Sequence, residues 1–263
     1  MALLGGGFAT AVAKPKSKAA VKAGPSAEAQ EKALADFLGP YKFGMTKDEV
    51  VAVLRAQLDA RYKAESEATQ DVYRQDQIHA RKKLELDRLG KSYTEFTGTK
   101  TGWDVSIIDG EFVHNNNEAL LENWENAGGK NQRRFFFFHN GKLYKMVLQI
   151  DARQLEEQQR TFDFFAGLIE ARLGPAAKTS GAAMWKLRAA SVAAADELEF
   201  YNAFCLAFAD AARQADVIAA RVAMGVKPKD ENRLIKSITA DADDDGPSLD
   251  AGKDAVDKVL KGN

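Results

Sequence analysis

Residues 133–150 read RRFFFFHNGKLYKMVLQI, and this stretch decides the fold. The dipeptide Asn140-Gly141 is the strongest short signal for a two-residue hairpin turn, because both residues tolerate the positive φ that the turn requires. The sequence therefore predicts two antiparallel strands on either side of this turn. The cross-strand pairs that follow from it are Phe138–Leu143, Phe137–Tyr144 and Phe135–Met146.

Successive side chains of a strand point to opposite faces, so four consecutive phenylalanines need cover on both sides of the sheet. The first predicted face is wholly apolar and carries Phe135, Phe137, Tyr144, Met146, Leu148 and Ile150. The second is apolar only near the turn and carries Phe136, Phe138, Leu143 and Val147, with Arg134, Lys145 and Gln149 beyond them. Whether the second face is core or a docking surface is left open by the sequence.

A helix that precedes this hairpin is predicted to cover the first face. Thr46 and Glu49 have the spacing of a capping box, which marks a helix N-terminus. Apolar residues then recur every four positions, as on one face of a helix, at Val50, Leu54, Leu58 and Tyr62. Residues 28–38 predict a shorter helix before it, and residues 63–90 predict either one long solvated helix or a two-helix arm.

The remaining segments predict further strands and helices. Residues 93–97 and 103–107 alternate with the period of a strand, whereas residues 115–132 predict an excursion with a short helix at its centre. An amphipathic helix over residues 154–175 is predicted to end at Gly174, followed by strands at 184–188 and 197–208. An alanine-rich helix is predicted over residues 210–224.

These patterns predict an α+β fold with antiparallel strands in one or two sheets, helices packed on one face, two α-then-β units and disordered ends. The predicted divisions are a signal segment and linker (1–28), a helix-plus-sheet unit (29–152), a second helix-plus-strands unit (153–225) and a flexible acidic tail (226–263). The chain of 263 residues is long enough for a core of its own.

The N-terminus bears on the compartment. A short apolar run ends in Ala11-Val12-Ala13, which fits a signal-peptidase site, although no basic residue precedes it. The sequence therefore slightly favours the periplasm, with the cytoplasm as the alternative. The formal net charge of −1 gives no global reason to expect nucleic acid as a partner. No apolar stretch is long enough to predict a transmembrane segment.

Part of the chain resembles a known family. Gly44, Met45, Thr46 and Val50 match a G-M-T-x-x-x-V helix start, and residues 138–143 match an F-x-x-G-K-L strand. Both are similar to the outer-membrane assembly small-lipoprotein family and its relatives with a β-lactamase-inhibitor-protein-like fold. Trp185, after Leu173-Gly174-Pro175, looks like a second instance of that arrangement. The resemblance implies helices packed on one face of an antiparallel sheet and a protein-binding, non-enzymatic role, but the lipobox cysteine of that family is missing.

The residues that carry chemistry are scattered. His79, His114 and His139 lie on three predicted elements without ligand spacing, and a pair of Cys205 with one of them would be a minimal nucleophile site. Residues 241–246 match the first positions of a calcium loop, but Gly252 occupies the position of its bidentate glutamate. We therefore predict no catalytic residue, metal or cofactor.

The function predicted from the sequence is binding to a protein partner in the cell envelope. An aromatic sheet without a catalytic constellation favours this interpretation. The candidate contact residues are Phe136, Phe138, Leu143 and Trp124. The alternatives are a hydrolase or transferase with a site assembled from scattered residues, and a carrier of a small apolar ligand. The sequence indicates neither the identity of the partner nor the oligomeric state.

Overall fold

A computed structural model describes residues 24–127 and 130–226. The predicted signal segment, most of its linker and nearly all of the predicted tail, including the calcium-loop match, lie outside these residues. The described strands form one antiparallel sheet in the order β1-β2-β3-β4-β8-β7-β6-β5. Its strands are β1 (Tyr93–Glu95), β2 (Glu118–Ala127), β3 (Lys130–His139), β4 (Lys142–Asp151), β5 (Ala177–Thr179), β6 (Ala182–Lys186), β7 (Ala190–Glu197) and β8 (Ala203–Asp210).

The described residues also form six α-helices: α1 (Ala27–Leu38), α2 (Lys47–Glu67), α3 (Val72–Lys91), α4 (Phe162–Leu173), α5 (Leu198–Tyr201) and α6 (Ala211–Ala223). The α+β class and the antiparallel sheet are thus confirmed. The predicted boundary between residues 152 and 153 falls between β4 and α4, inside one continuous sheet. The first unit contributes α1 to α3 and strands β1 to β4, and the second contributes α4 to α6 and strands β5 to β8. The two four-stranded halves meet where β4 pairs with β8.

The central hairpin turns at Asn140 and Gly141, whose φ angles are 49° and 72°. The predicted pair of Phe138 with Leu143 is confirmed. Beyond it a β-bulge shifts the register, so the predicted pairs Phe137–Tyr144 and Phe135–Met146 are wrong. The observed pairs are Phe137–Lys145, Phe136–Met146 and Phe135–Val147. One extra residue in a strand exchanges the faces of everything after it, which no turn signal reveals.

From here on, the first face of the sheet means the face of Phe136 and Phe138, and helices of both units cover it. The prediction that the capped helix α2 covers Phe135 and Phe137 is therefore wrong. Phe136 and Phe138 point to this side and share a core with α1, α2 and α4. Because of the bulge, Met146, Leu148 and Ile150 also belong here and not with Phe135 and Phe137 as predicted. Trp185 lies in the same core, and its indole nitrogen donates a 2.8 Å hydrogen bond to the carbonyl of Gly174.

The second face is also covered. Phe135, Phe137, Tyr144 and Val147 pack there with residues of the loop 97–117 and with Val217 of α6. On the β7–β8 half of this face the buried side chains are small: Ala193, Ala195, Ala203, Cys205 and Ala207. Small side chains let a helix or loop approach the strands closely. Burial on both sides is what allows four consecutive phenylalanines.

The helix starts follow their caps. Thr46 and Glu49 form the predicted capping box, with Glu49 accepting a 2.7 Å bond from the Thr46 amide.

The segment after residue 62 is a two-helix arm, because α2 ends at Glu67 and α3 returns beside it. Arg61 and Tyr62 of α2 both hydrogen-bond Glu85 of α3, which fixes the arm through polar contacts.

Several segments differ from the prediction. The helix predicted over residues 154–175 begins only at Phe162, and the strand predicted over 197–208 contains helix α5 before β8 begins at Ala203. The residues predicted as a strand at 103–107 begin with a 3₁₀ turn (Gly102–Val105) that Thr101 and Asp104 cap. The predicted helical excursion at 115–132 contains β2 instead. The sequence of β2, EALLENWENA, contains several good helix formers, but pairing with β1 and β3 overrides that propensity. Strand β7 was not predicted at all.

Candidate functional site

The structure separates the four candidate contact residues. Phe136, Phe138 and Leu143 are buried in the core of the first face. Trp124 is 41% exposed on β2. Of these four residues, only Trp124 has an exposed side chain. The candidate surface is therefore defined around Trp124. Contact with a partner stays a prediction for all four residues.

Trp124 is held by a stacked arginine. The Arg133 guanidinium carbon lies 4.8 Å from the centroid of the Trp124 ring and 5.2 Å from that of Phe135. Arg133 also donates from Nε to Gln149 Oε1 at 2.6 Å and from Nη1 to Glu122 Oε1 at 3.3 Å. These contacts fix the cation against the aromatic ring. The indole therefore stands on a rigid polar support.

The carboxyl of Glu122 belongs to this support. Burial raises its pKa, and the charge and hydrogen bond of Arg133 act against that shift. Glu122 thus holds the cation on which the indole of Trp124 stacks.

Two more aromatic residues lie at the same end of the sheet. The short helix α5, between β7 and β8, carries Phe200, which is 78% exposed, and Tyr201, which is more than a third exposed. Burial raises the pKa of the Tyr201 phenol, and the negative charge of Glu197 adds to that effect while Arg133 opposes it. We call Trp124, Arg133, Phe200 and Tyr201 together the Trp124 surface.

A second polar cluster lies inside the protein. The bulge turns Lys145 toward the second face, where Nζ donates to the Glu111 carboxylate at 2.6 Å and to the Glu111 carbonyl at 2.7 Å. Both side chains are buried. Burial lowers the pKa of Lys145, and the charge of Glu111 opposes that effect. This pair joins β4 to the loop 97–117.

Arg221 of α6 enters the same cluster. It donates from Nε to Glu118 Oε1 at 2.8 Å and from Nη2 to Glu118 Oε2 at 2.5 Å, a two-point contact with a buried carboxylate. Its Nη2 also donates to the Glu111 carbonyl at 2.9 Å. Tyr144 and Asn116 complete the set by donating to Glu118 at 3.2 and 2.9 Å.

The protonation states in this cluster follow from its contacts. Burial by itself would raise the pKa of Glu118, but the hydrogen bond and charge of Arg221 hold it below its ordinary value. Burial raises the pKa of the Tyr144 phenol well above its usual range. Glu118 is therefore charged and Tyr144 neutral at physiological pH. The hydrogen bonds of this cluster clamp α6 and the loop onto the sheet.

The other candidate chemical groups lie apart. His114 contacts Asp104 at 2.9 Å through Nε2, and its Nδ1 is buried without a hydrogen bond to any described residue. Burial raises the pKa of the Cys205 thiol well above its usual range, which disfavours the reactive thiolate. Among the described residues, no contact joins His79 or His139 to His114 or Cys205. The described residues contain no group of three metal-ligating side chains.

Two clefts lie on the first-face side. The larger, of about 380 Å³, lies between the end of α1, α2 and the edge of β2 and β3. Its polar wall includes Arg134, which donates to Glu125 at 2.9 Å and lies over Tyr41. The smaller, of about 190 Å³, is lined by Leu173, Met184 and Trp185, among others. None of His114, Glu111 and Cys205 lines either cleft.

No family model, no curated protein and no solved structure matches this chain. Within residues 24–127 and 130–226, no helix has the length and apolar character to cross a membrane.

Sequence reasoning missed the residues that matter most in both clusters. The sequence predicts for Arg133 either anion binding or a side chain that extends from a strand end toward water, and it predicts no role for Lys145, Glu118 and Arg221. An available signal was the single charged residue, Lys145, inside the apolar run of β4. A lysine among buried neighbours requires a carboxylate partner, but the partner comes from a distant loop.

Proposed function

We propose that this chain is a non-enzymatic binding protein of the bacterial cell envelope that contacts a protein partner through the Trp124 surface. The observation that carries the proposal is the exposed indole of Trp124 stacked on Arg133. Tryptophan, tyrosine and arginine are the residues most enriched among those that dominate protein–protein binding energy. Here Trp124 stacks on Arg133, and Phe200 and Tyr201 are exposed at the same end of the sheet.

The partner that fits this surface is a folded protein with apolar or aromatic side chains. Trp124, Phe200 and Tyr201 expose ring surface that burial in an interface would stabilise. Arg133 is already bonded to Gln149 and Glu122, so it brings no unpaired charge into an apolar contact. Preorganisation of the indole lowers the entropy cost of binding.

The envelope is part of the proposal and rests on the sequence. The apolar start that ends at Ala11-Val12-Ala13 and the resemblance around Gly44, Met45 and Thr46 support it.

The test is site-specific photo-cross-linking in bacterial cells. A benzophenone amino acid in place of Trp124 or Phe200 is expected to give one discrete protein adduct in the periplasmic fraction. The matched control is the same amino acid in place of Leu84, which is equally apolar and exposed on α3. The same adducts at all three positions, or none at Trp124 and Phe200, would reject this surface. Adducts confined to the cytoplasm would reject the compartment alone.

The larger cleft supports a second candidate, a carrier of a small ligand. Its volume of about 380 Å³ lies in the range of ligand sites. Its walls include Arg134, Glu125 and Arg61, so it fits a ligand with a polar end and not the purely apolar ligand predicted from sequence. Titration of amphipathic ligands against chains with and without Arg134→Met, both in a Trp103→Phe, Trp185→Phe background in which Trp124 is the fluorescent reporter, distinguishes this role from protein binding.

A further inference from the structure

Strand β2 has an outer edge that β1 covers only in part. Strand β1 pairs with residues 119–121, and the Ser92 carbonyl accepts one more bond, at 3.2 Å, from the Glu122 amide. Strand β2 itself continues to Ala127. Among the described residues, no strand pairs with the outer side of residues 123–127. We call this segment the open edge of β2.

The hydrogen-bond pattern shows which backbone groups of the open edge point outward. The Asn140 amide donates to the Asn117 carbonyl at 3.1 Å, and the register between β2 and β3 is unbroken along β2. In an antiparallel pair such bonds recur at every second residue, so the odd-numbered residues of β2 bond β3. The even-numbered residues face outward, in agreement with the bond to Ser92. The N–H and C=O groups of Trp124 and Asn126 therefore point away from the sheet.

The larger cleft, of about 380 Å³, lies beside the open edge. Three consecutive residues of β2, Asn123, Trp124 and Glu125, line it. Side chains of a strand alternate between faces, and the Trp124 ring lies on the second face against Arg133. It is therefore the backbone of Trp124 that borders the cleft. The opposite wall is one face of α2, formed at helical spacing by Leu54, Gln57, Leu58 and Arg61.

We propose that the partner protein binds here through an extended segment that pairs with the open edge as an added strand, an inference that rests on the proposed function. Unpaired N–H and C=O groups on a sheet edge are a template for another strand. A peptide that adds to such an edge gains affinity from backbone bonds and specificity from side-chain pockets, and this edge has a cleft beside it. Residues 123–127 contain neither proline nor lysine, which commonly block an edge.

The geometry also specifies the side chains of the added strand. The residue opposite Trp124 points to the second face, where a β-branched or aromatic side chain packs well on the indole. Its two neighbours point into the cleft, whose α2 wall offers Leu54 and Leu58. The charge of Arg134 is already paired with Glu125 at 2.9 Å, so the cleft has no need of a charged ligand. The occupant is therefore an apolar, strand-forming segment.

Amide hydrogen exchange in the full chain tests whether the edge is free. The Trp124 amide should exchange at least about tenfold faster than the Asn123 amide, which bonds β3. Equally slow exchange of the two amides would mean that another part of this chain or a second copy already covers the edge. That result would overturn the proposal.

A synthetic peptide tests the added strand directly. It has about eight residues that alternate threonine and valine around a central phenylalanine, a composition that favours strands. We expect it to slow the exchange of the Trp124 amide at least about tenfold. The control peptide carries N-methyl groups on its central residues and should have no effect, because it lacks the backbone donors. A peptide with serine in place of phenylalanine should bind at least about tenfold more weakly, since it leaves the cleft unfilled.

No slowing by the unmethylated peptide, or equal slowing by the methylated one, would overturn the proposal.

A pair of variants at Asn126 isolates the backbone contact. Asn126→Pro removes an outward N–H and leaves the bonds to β3 in place, because an edge strand tolerates proline where its N–H faces solvent. It should weaken binding of the peptide about tenfold, whereas Asn126→Ala keeps the N–H and should bind like the native chain. Equal affinities of the two variants would contradict strand addition.

The same variants separate this inference from the proposed function. Benzophenone at Phe200 should give its adduct in cells with Asn126→Ala and lose it with Asn126→Pro. The same adduct in both variants would keep the partner and reject the added strand. Absence of any adduct in the native background, which rejects the proposed function, rejects the added strand with it.

Discussion

Arg221 shows how one side chain settles the polarity of its helix. It reaches the buried carboxylate of Glu118 with two hydrogen bonds, at 2.8 and 2.5 Å. A buried charge without a partner costs several kcal/mol, on the order of 3–5 when one member of such a pair is removed. The pair therefore holds α6 in one rotational setting, with Val217 inward and Ile218 outward.

The pair makes stability depend on pH in a defined direction. The pKa of Glu118 is lowered in the folded protein from an ordinary value of 4.5. Its contribution to stability is thus fully present above that value and is lost as the pH falls through the lower folded-state pKa. In Glu118→Gln, we expect the free energy of unfolding to fall less steeply between about pH 5 and pH 3 than in the native protein.

Urea unfolding at a series of pH values measures this slope. Glu67→Gln, at an exposed position of α2, is the control and should keep the native slope. Parallel curves for Glu118→Gln and the native protein would contradict the assigned role of Arg221.

At the scale of elements, the hairpin turn depends on backbone geometry. A Cβ at Gly141 would meet nothing within 4 Å, yet φ is 72°, which L-residues rarely adopt. Gly141→Ala should therefore lower the free energy of unfolding by about 1–2 kcal/mol through strain alone. Gly102→Ala is the matched control, because its surroundings are equally open and its φ is not in the positive range. Equal effects in urea unfolding would show that φ is not the cause.

The aromatic strand β3 is core on both faces. We expect Phe137→Ala and Phe138→Ala each to cost about 3–5 kcal/mol in urea unfolding, since each leaves a cavity in a packed interior. Phe200→Ala removes an equally large but exposed ring and should cost less than about 0.5 kcal/mol. A small effect for Phe138→Ala would return that residue to the docking role that the sequence allowed.

At the scale of the molecule, the two α-then-β units share one sheet. Strands β4 and β8 pair from Lys145 to Asp151, and α1 of the first unit bonds α4 of the second through Gln30 and the Leu173 carbonyl at 2.7 Å. Residues of both halves belong to one shared core, so unfolding of one half would expose core residues of the other. We therefore expect one cooperative unfolding transition.

Tryptophan fluorescence tests this cooperativity. Trp185→Phe leaves reporters only in the first unit, and Trp103→Phe with Trp124→Phe leaves one only in the second. In each variant, fluorescence and far-ultraviolet circular dichroism should have the same midpoint. Separate midpoints would mean that the units unfold independently.

The sequence by itself determined the features that neighbouring residues control. The capping box at Thr46, the turn at Asn140 and Gly141, the end of α4 at Gly174 and the α+β class all follow from local backbone chemistry. These signals need no knowledge of distant residues.

Tertiary structure alone decided the rest. The bulge beside Tyr144 depends on how β3 and β4 pack against the helices on one face and the loop 97–117 on the other. It moves Met146 to the first face. Strand β2 exists because β1 and β3 pair with it. The support of Trp124 and the partners of Lys145 and Arg221 come from distant segments, because burial of a charge selects whichever opposite charge the fold brings near.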